Sequence, residues 1–469
     1  MAGRRRRWHD VAVGSIPPEI IQRIALFISD TDTFFMYLTA FRDTNALGCL
    51  HHLLHLSKTC DRYDLWPDLH VYLLNAETVG SIQAVARIFP VIHFHHTFDM
   101  NRLHQCVTPS CLFTLHLTDT NTATDSSTES ISAWYAHLAR LPLLELSWER
   151  DADPGYLHVE SLVAALPSMN RLQSLDLSLP LVPSIEPILH LVASSMLENL
   201  SLRALDPPSQ PTFTTTCVQL LTQWLVSRPV RTLYLEGFSA QTIPEAIMAQ
   251  FHAVLWSKPS LQALGFQVPS LPGLSLHRFV VPVPMSVLEL CGCDLGPNDM
   301  KALCVGLQNS RVTTLDLTCN PIGVSGIKAL GAILPTTPIE VLKLVLTQAG
   351  DGGCKAIALA LPATCIRELH LGMNLITNGG AVELANVMRN TSVISTLRLQ
   401  KNRIEAAGAA ALIQMMGSRT VETQLLDLRK NSIDPSEIAM LEAMADHLPL
   451  IQTCALKKRI KPVEDSSMD

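Results

Sequence analysis

The stretch Val312-Thr-Thr-Leu315-Asp-Leu317-Thr-Cys-Asn320-Pro-Ile322 is the clearest copy of a pattern that recurs along the second half of the chain. Its two leucines alternate with a polar residue, which is the period-2 pattern of a strand with one buried face. Asparagine follows three residues after the second leucine, and an apolar residue closes the motif two residues later. The pattern therefore predicts a short strand that ends in a turn.

Six copies of this pattern begin at residues 285, 312, 339, 366, 394 and 423, so the period is 27 to 29 residues. Four copies hold asparagine at the ninth position, while Cys293 and Thr347 occupy it in the other two. Self-similarity at a fixed period of this length predicts a solenoid of stacked supersecondary units. Both the pattern and the period resemble those of leucine-rich repeats.

Each regular repeat also contains a helix, because apolar residues recur at helical spacing after the asparagine position, as in Ile327, Leu330 and Ile333. Glycine lies six residues past that position in four repeats, where it lets the helix approach its neighbour closely (Gly326, Gly353, Gly380 and Gly408). A strand followed by a helix, repeated, resembles the ribonuclease-inhibitor type of leucine-rich repeat. The resemblance implies an α/β solenoid of horseshoe shape, with an inner parallel sheet and outer helices.

The bulk composition excludes several classes of protein. At 469 residues the chain exceeds one ordinary core, and 48% hydrophobic against 16% charged residues excludes a disordered chain. A net charge of −7 argues against a nucleic-acid-binding surface. We expect no transmembrane helix, because every long apolar run is interrupted by charge or proline. The 12 cysteines lack paired Cys-x-x-Cys spacing, which predicts reduced thiols in a cytoplasmic or nuclear protein without metal or cofactor.

The N-terminal segment differs from the repeats that follow. Apolar residues at helical spacing predict one helix through Ile20, Ile24 and Ile28, and a second one through Phe34 and Phe41. A third helical segment, rich in leucine and histidine, covers about residues 47 to 56. We therefore expect a small bundle of three helices ahead of the first repeat.

The start of this bundle, Ile16-Pro17-x-Glu19-Ile20, and the segment Leu65-Trp66-x-x-Leu69 that enters the repeats resemble an F-box. In F-box proteins this opening motif docks an Skp-type adaptor and so joins a cullin-containing ubiquitin ligase. The resemblance implies that Ile16, Pro17, Glu19, Ile20 and Ile24 contact such an adaptor. The alternative is a helical cap that covers the open apolar end of the solenoid.

Looser copies of the pattern lie between residues 89 and 266, which brings the count to 13 candidate units. Among them are Phe89–Ile92–Phe94, Leu112–Leu115–Leu117 and Leu141–Leu144–Leu146. His93 and His95 alternate along one of these strands, and we expect His116 beside them on the same face. The chain divides into a basic disordered N-terminus (1–10), an F-box-like helical domain (11–75), irregular repeats (76–284), regular repeats (285–456) and a disordered tail (457–469).

The concave face of the predicted sheet is the expected binding surface, because solenoids of this kind hold partners there. No nucleotide-binding, hydrolase or metalloprotease motif occurs in the sequence, so we expect a protein that is not an enzyme. The candidate partner-binding residues on this face are Trp148, Arg203, Tyr234, Glu236, Asp316, Lys343, His370, Arg398, Gln400, Asp427 and Arg429.

The two resemblances together imply a substrate-recognition adaptor of an SCF-type ubiquitin ligase that holds a protein on its concave face. Two alternatives stay open. One is a regulator of a small GTPase, since Ran GTPase-activating proteins carry the same repeat class, with Arg203 as the candidate arginine. The other is a scaffold or inhibitor whose N-terminal helices serve only as a cap.

Overall fold

The computed structural model describes residues 16–96, 99–107, 111–118, 131–149, 159–179, 184–204, 212–240, 242–268, 282–389, 394–419, 422–448 and 451–456. The predicted basic N-terminus (1–10) and tail (457–469) lie outside these described residues. The chain separates into two compact units, one of Met1–Ser178 with Ser195–Leu197 and one of Leu179–Ser194 with Glu198–Asp469. Each unit is described by itself below.

The first unit begins with four helices and continues with alternating strands and helices. Its strands pair in parallel in chain order, each with the next. The elements are α1 (Pro18–Leu26), α2 (Thr31–Ala40), α3 (His51–Leu56), α4 (Arg62–Leu65), β1 (Leu69–Val71), α5 (Val79–Val85), β2 (Val91–His95), α6 (Met100–Cys106), β3 (Leu112–Thr118), α7 (Ile131–Leu138), β4 (Leu143–Glu149), α8 (Val159–Ala165) and β5 (Ser174–Leu179).

Trp66 joins the N-terminal helices to the first strands of the repeat array. Its ring stacks on Phe34 of α2 at a centroid distance of 4.0 Å, and it meets the ring of Phe89 edge-on at 5.9 Å. The indole N–H of Trp66 donates to the carbonyl of Ile28, and the hydroxyl of Thr31 donates to the carbonyl of Trp66. The inner side of the helical bundle therefore covers the start of the repeats with a continuous aromatic core.

The second unit contains the regular repeats. Its elements are α9 (Glu186–Ser194), β6 (Asn199–Ala204), β7 (Thr212–Phe213), α10 (Thr215–Ser227), β8 (Thr232–Glu236), β9 (Ser239–Ala240), α11 (Glu245–Ser257), β10 (Ala263–Gln267), β11 (Val287–Leu290), α12 (Pro297–Leu307), β12 (Thr314–Asp316), α13 (Gly323–Ile333), β13 (Val341–Lys343), α14 (Gly350–Ala360), β14 (Glu368–His370), α15 (Asn378–Met388), β15 (Thr396–Arg398), α16 (Ala406–Gly417), β16 (Leu425–Asp427), α17 (Pro435–Asp446) and β17 (Cys454–Ala455).

Ten of these strands form one parallel ladder, in the order β6, β8 and then β10 to β17, while β7 pairs only with β9. The first leucines of successive motifs stand directly opposite one another, as Leu315, Leu342 and Leu369 do. These leucines are fully buried, and so are the inward-facing apolar residues of the helices behind them, such as Ile327, Leu330 and Ile357. The predicted α/β leucine-rich-repeat solenoid, with a parallel sheet on one side and helices on the other, is confirmed.

The asparagines of the motif connect neighbouring repeats. In the buried side chain of Asn374, Oδ1 accepts from the backbone N–H groups of Thr347 and Ala349 at 2.9 and 3.1 Å. Its amide nitrogen donates to the carbonyls of Leu344 and Gly372. Asn320, Asn402 and Asn431 form equivalent bonds to the repeat before them. The asparagine therefore lies at the turn that the motif predicts, and two N–H donors and one of the two carbonyl acceptors of Asn374 lie one repeat back.

Two strands of the array were not predicted, and the register of a third was wrong. Strand β1 follows Trp66 and β17 follows Ile451, and both pair with their neighbours in the same register as the other repeats. In β4, Leu146 stands opposite Leu175, and Trp148 stands opposite Leu177. The repeat therefore starts at Leu143, two residues after the predicted Leu141, because Trp148 fills the position of the second leucine.

Two further findings concern the whole set of described residues. None of their helices has both the length and the apolar character needed to cross a membrane. All twelve cysteines lie in described stretches and are free thiols there. Burial raises the pKa of several, including Cys293 and Cys304, both to about 11, so these thiols stay protonated at neutral pH.

Candidate functional site

Helix α1 exposes an apolar stripe. Ile16, Ile20 and Ile24 are 44%, 47% and 44% exposed, and Phe27 is 87% exposed. Ile20, Ile24 and Phe27 are three or four residues apart and lie on one side of the helix, while Ile16 comes just before its first turn. Pro17 and Glu19, the other two predicted adaptor contacts, are also exposed. All five predicted docking residues are thus accessible, and Phe27 extends the stripe by a further turn.

The opposite face of α1 is buried in the helical bundle. Ile21 and Ala25 are 1% and 0% exposed, and the side chain of Gln22 donates to the carbonyl of Ala46. The hydroxyl of Tyr37 on α2 donates to the carbonyl of Ile21 at 3.2 Å. Helix α1 is therefore apolar on both sides, but only one side is needed to hold it in the fold.

The open face of the second unit's sheet, on the side away from the helices, carries one residue per strand in register. This row runs through Ser201, Tyr234, Gly265, Glu289, Asp316, Lys343, His370, Arg398 and Asp427. Six of the predicted partner-binding residues belong to it. Arg203, Glu236, Gln400 and Arg429 lie two residues further along their strands and share the same face.

The second residue of the row is an aromatic side chain. Tyr234 lies against the backbone of Gly265 on the next strand, where a Cβ atom would come within 2.1 Å of the ring. Burial, together with the nearby Glu289 carboxylate, raises the pKa of Tyr234 to about 12. Tyr234 therefore keeps its phenolic proton and offers a hydrogen-bond donor beside an acidic group. Glu289 was not predicted, although its place beside Leu288 marks it for this face.

Acidic and basic side chains on three neighbouring strands form ion pairs with one another. The ammonium of Lys343 lies 3.2 Å from the carboxylate of Asp316 and 3.9 Å from that of Glu289. Burial alone would lower the pKa of Lys343, but these carboxylates outweigh it and hold the pKa above its usual value. Asp316 also accepts from the backbone N–H of Thr318. The ammonium of Lys343 and the carboxylate of Asp316 therefore already have partners within the sheet face.

A second internal pair lies further along the ladder. Arg429 donates through Nε and Nη2 to the two carboxylate oxygens of Asp427, at 2.8 and 2.6 Å. Asp427 is fully buried, so this bidentate pair holds the strand end rather than leaving a free charge. At the opposite end of the ladder, Arg203 on β6 lies 3.9 Å from the carboxylate of Glu236 on β8. Arg203, the candidate arginine of a GTPase regulator, therefore already has a carboxylate beside its guanidinium.

The residues between these pairs have different surroundings. Nε2 of His370, Nε of Arg398 and Oε1 of Gln400 are all buried, and each lacks a hydrogen-bond partner. Burial, followed by the charge of Arg398, lowers the pKa of His370, so its imidazole is neutral at pH 7. Three polar side chains on two adjacent repeats of the open face are therefore left unsatisfied.

Trp148 does not belong to a partner-binding face. It is only 4% exposed and stands in register with Leu117 and Leu177, which are core residues. The prediction that Trp148 lies on the concave face was wrong, because the motif of this repeat is shifted by two residues. The residues beside it, Glu145 and Ser147, face the open side instead.

The open face of the first unit carries a cluster of histidine rings on β1 to β3. The ring of His95 stacks on Tyr72 at 4.1 Å and on His116 at 4.9 Å, and the ring of His70 stacks on that of His93 at 4.5 Å. Burial, and then the neighbouring histidines, lowers the pKa of His95 to about 3. The expected neighbourhood of His93, His95 and His116 is confirmed, and His70 and Tyr72 extend it.

Comparison with known proteins supports the repeat assignment. A family model described as "Leucine Rich repeat" matches residues 308–331 and 363–385. No curated protein matches the chain. Among solved structures, a chain of "Crystal structure of Rad7 and Elc1 complex in yeast" is similar with a TM-score of 0.48 and 13% identity, over 87% of this chain and 95% of that one. A likeness this weak has no bearing on function, whereas the matched repeats are those of a protein-interaction module.

Proposed function

We propose that this protein is a non-enzymatic substrate-recognition adaptor of an SCF-type ubiquitin ligase. In this role the outer face of α1 docks an Skp-type adaptor, which in turn binds a cullin. The open face of the second unit's sheet holds the protein to be modified. This role requires a docking surface that is separate from the recognition surface.

The observation that carries the proposal is the exposed stripe of Ile16, Ile20, Ile24 and Phe27. Soluble proteins rarely leave several large apolar side chains exposed on one helix face unless that face meets a partner. The opposite face of α1 already packs on the bundle, so the stripe contributes nothing visible to the fold. Covering the core of the first repeats is the task of Trp66 and Phe34, which leaves α1 available for docking.

Direct binding between the purified full chain and a purified Skp-type adaptor tests the proposal. We expect the Ile20→Glu/Ile24→Glu double variant to bind at least about tenfold more weakly, because two apolar side chains are replaced by carboxylates that must lose water. The matched control is Leu359→Glu, which changes an exposed leucine on α14. This control should bind like the wild type.

Three results would contradict the proposal. One is a folded wild-type chain that does not bind the adaptor. The second is a double variant that binds as tightly as the wild type. The third is an equal loss in the Leu359→Glu control, which would indicate a general effect of added charge. A chain that fails to bind but recognises another protein would be a scaffold or inhibitor.

A further inference from the structure

The open face of the second unit alternates between satisfied and unsatisfied polar groups. Lys343 has Asp316 and Glu289 within ion-pair distance, and Arg429 holds Asp427 in a bidentate pair. Between them, Arg398 forms no ion pair and no side-chain hydrogen bond with any residue in the described stretches. The guanidinium of Arg398 is therefore left without an ion-pair partner between two groups of paired charges.

The neighbours of Arg398 are unsatisfied in the same way. Oε1 of Gln400 is buried without a donor, and Nε2 of His370 is buried without a hydrogen-bond partner, with the carboxylate of Glu368 3.6 Å away. Most buried side-chain polar atoms in proteins have a partner, and leaving one unpaired costs about 1–3 kcal/mol. Three such atoms on adjacent positions of a binding face indicate a partner that supplies the missing groups.

The chemistry of these groups defines that partner. A guanidinium prefers a carboxylate, which it can bind through two parallel hydrogen bonds. The carboxamide of Gln400 lies over Gly372, where a Cβ atom would come within 2.9 Å of it, so the missing side chain of this glycine leaves room for the amide on the open face. Its oxygen accepts from an N–H donor, such as the backbone of an extended peptide. His370, neutral at pH 7, adds no charge of its own.

We propose that Arg398, Gln400 and His370 form a recognition site for an acidic polypeptide segment, with one aspartate or glutamate side chain bound by Arg398. The neighbouring N–H groups of the segment donate to Gln400. The site takes a single carboxylate rather than a run of acids, because Lys343 and Arg429 are already paired. This inference deepens the proposed recognition role of the open face and does not involve α1.

A displayed library of random linear peptides, selected on the immobilised full chain, tests the site. The peptides enriched on the wild type are expected to share one aspartate or glutamate. Their binding to Arg398→Gln should be about tenfold weaker or more, since an ionic hydrogen-bonded contact is lost. Arg398→Lys, which keeps the charge but not the planar fork, should give an intermediate loss. The matched control is Arg311→Gln, an exposed arginine outside the site.

Several results would overturn the inference: no enriched peptide, enriched peptides without a shared acid, or unchanged binding to Arg398→Gln. An equal loss in Arg311→Gln would also overturn it, because only the overall charge would then matter. Adaptor binding by the same variants is the second readout and should stay at the wild-type level. A wild-type chain that binds the adaptor but enriches no acidic peptide would defeat only this site, whereas a wild-type chain that enriches such peptides but does not bind the adaptor would defeat only the ligase role.

Discussion

Single residues carry the link between repeats. The side chain of Asn374 satisfies two backbone N–H groups and two carbonyls, most of them in the preceding repeat. Asn374→Ala removes these partners from buried groups, so we expect the free energy of unfolding to fall by about 3 kcal/mol. Urea unfolding followed by circular dichroism measures this change.

The matched control for that substitution is Gln414→Ala, which changes an exposed amide on α16. It should leave the unfolding midpoint close to the wild-type value. Equal stability of Asn374→Ala and Gln414→Ala would show that the asparagine bonds do not hold the repeats together.

The histidine cluster of the first unit gives a prediction about pH. Burial lowers the pKa of both His93 and His95, and the positive charges of His70 and His116 add to the effect, while Asp68 opposes it at His93. A histidine with a lowered folded-state pKa binds fewer protons than it does in the unfolded chain. Stability should therefore be highest above pH 6.5 and should fall as the pH drops from 6.5 towards the folded-state value.

Thermal unfolding of the wild type and of His93→Asn/His95→Asn at pH 8 and pH 5.5 checks this expectation. The wild type should lose more stability on acidification than the double variant does. Substitution of the exposed His190 by Asn serves as the control and should leave the wild-type pH dependence in place. A double variant with the same pH dependence as the wild type would contradict the assignment.

At the scale of whole elements, the close packing of neighbouring helices depends on the glycine that recurs at the same position of the regular repeats. A Cβ atom on Gly408 would come within 2.6 Å of Oδ1 of Asn378 and 3.1 Å of Cβ of Ala381 on α15. Gly408→Leu would push α15 and α16 apart, so we expect a loss of about 2 kcal/mol in unfolding free energy. Ala407→Leu, on the exposed side of α16, should cost far less, and equal losses would argue against close packing.

The sequence predicts these regular elements because each carries the full motif with leucine and asparagine at fixed positions. It fails where another apolar residue substitutes for leucine. Trp148 takes the second leucine position of its repeat, and Cys454 takes the first in β17, so neither was recognised. The ion pairs of Asp316 and Asp427 could not be predicted either. Strand alternation indicates on which face a side chain lies, but not which neighbouring side chain it contacts.

At the scale of the molecule, the described residues present two candidate binding surfaces with different chemistry. The stripe on α1 is apolar and is built by one helix. The open sheet face of the second unit is polar, and it holds the unsatisfied cluster of His370, Arg398 and Gln400. We assign adaptor docking to the first surface and partner recognition to the second.

Hydrogen–deuterium exchange of the full chain, with and without a purified Skp-type adaptor, tests this assignment most directly. Docking through the stripe predicts slower exchange of the backbone amides in α1, Pro18–Leu26, and unchanged exchange in β13 to β15. Unchanged exchange in α1, or protection confined to the sheet strands, would contradict the account.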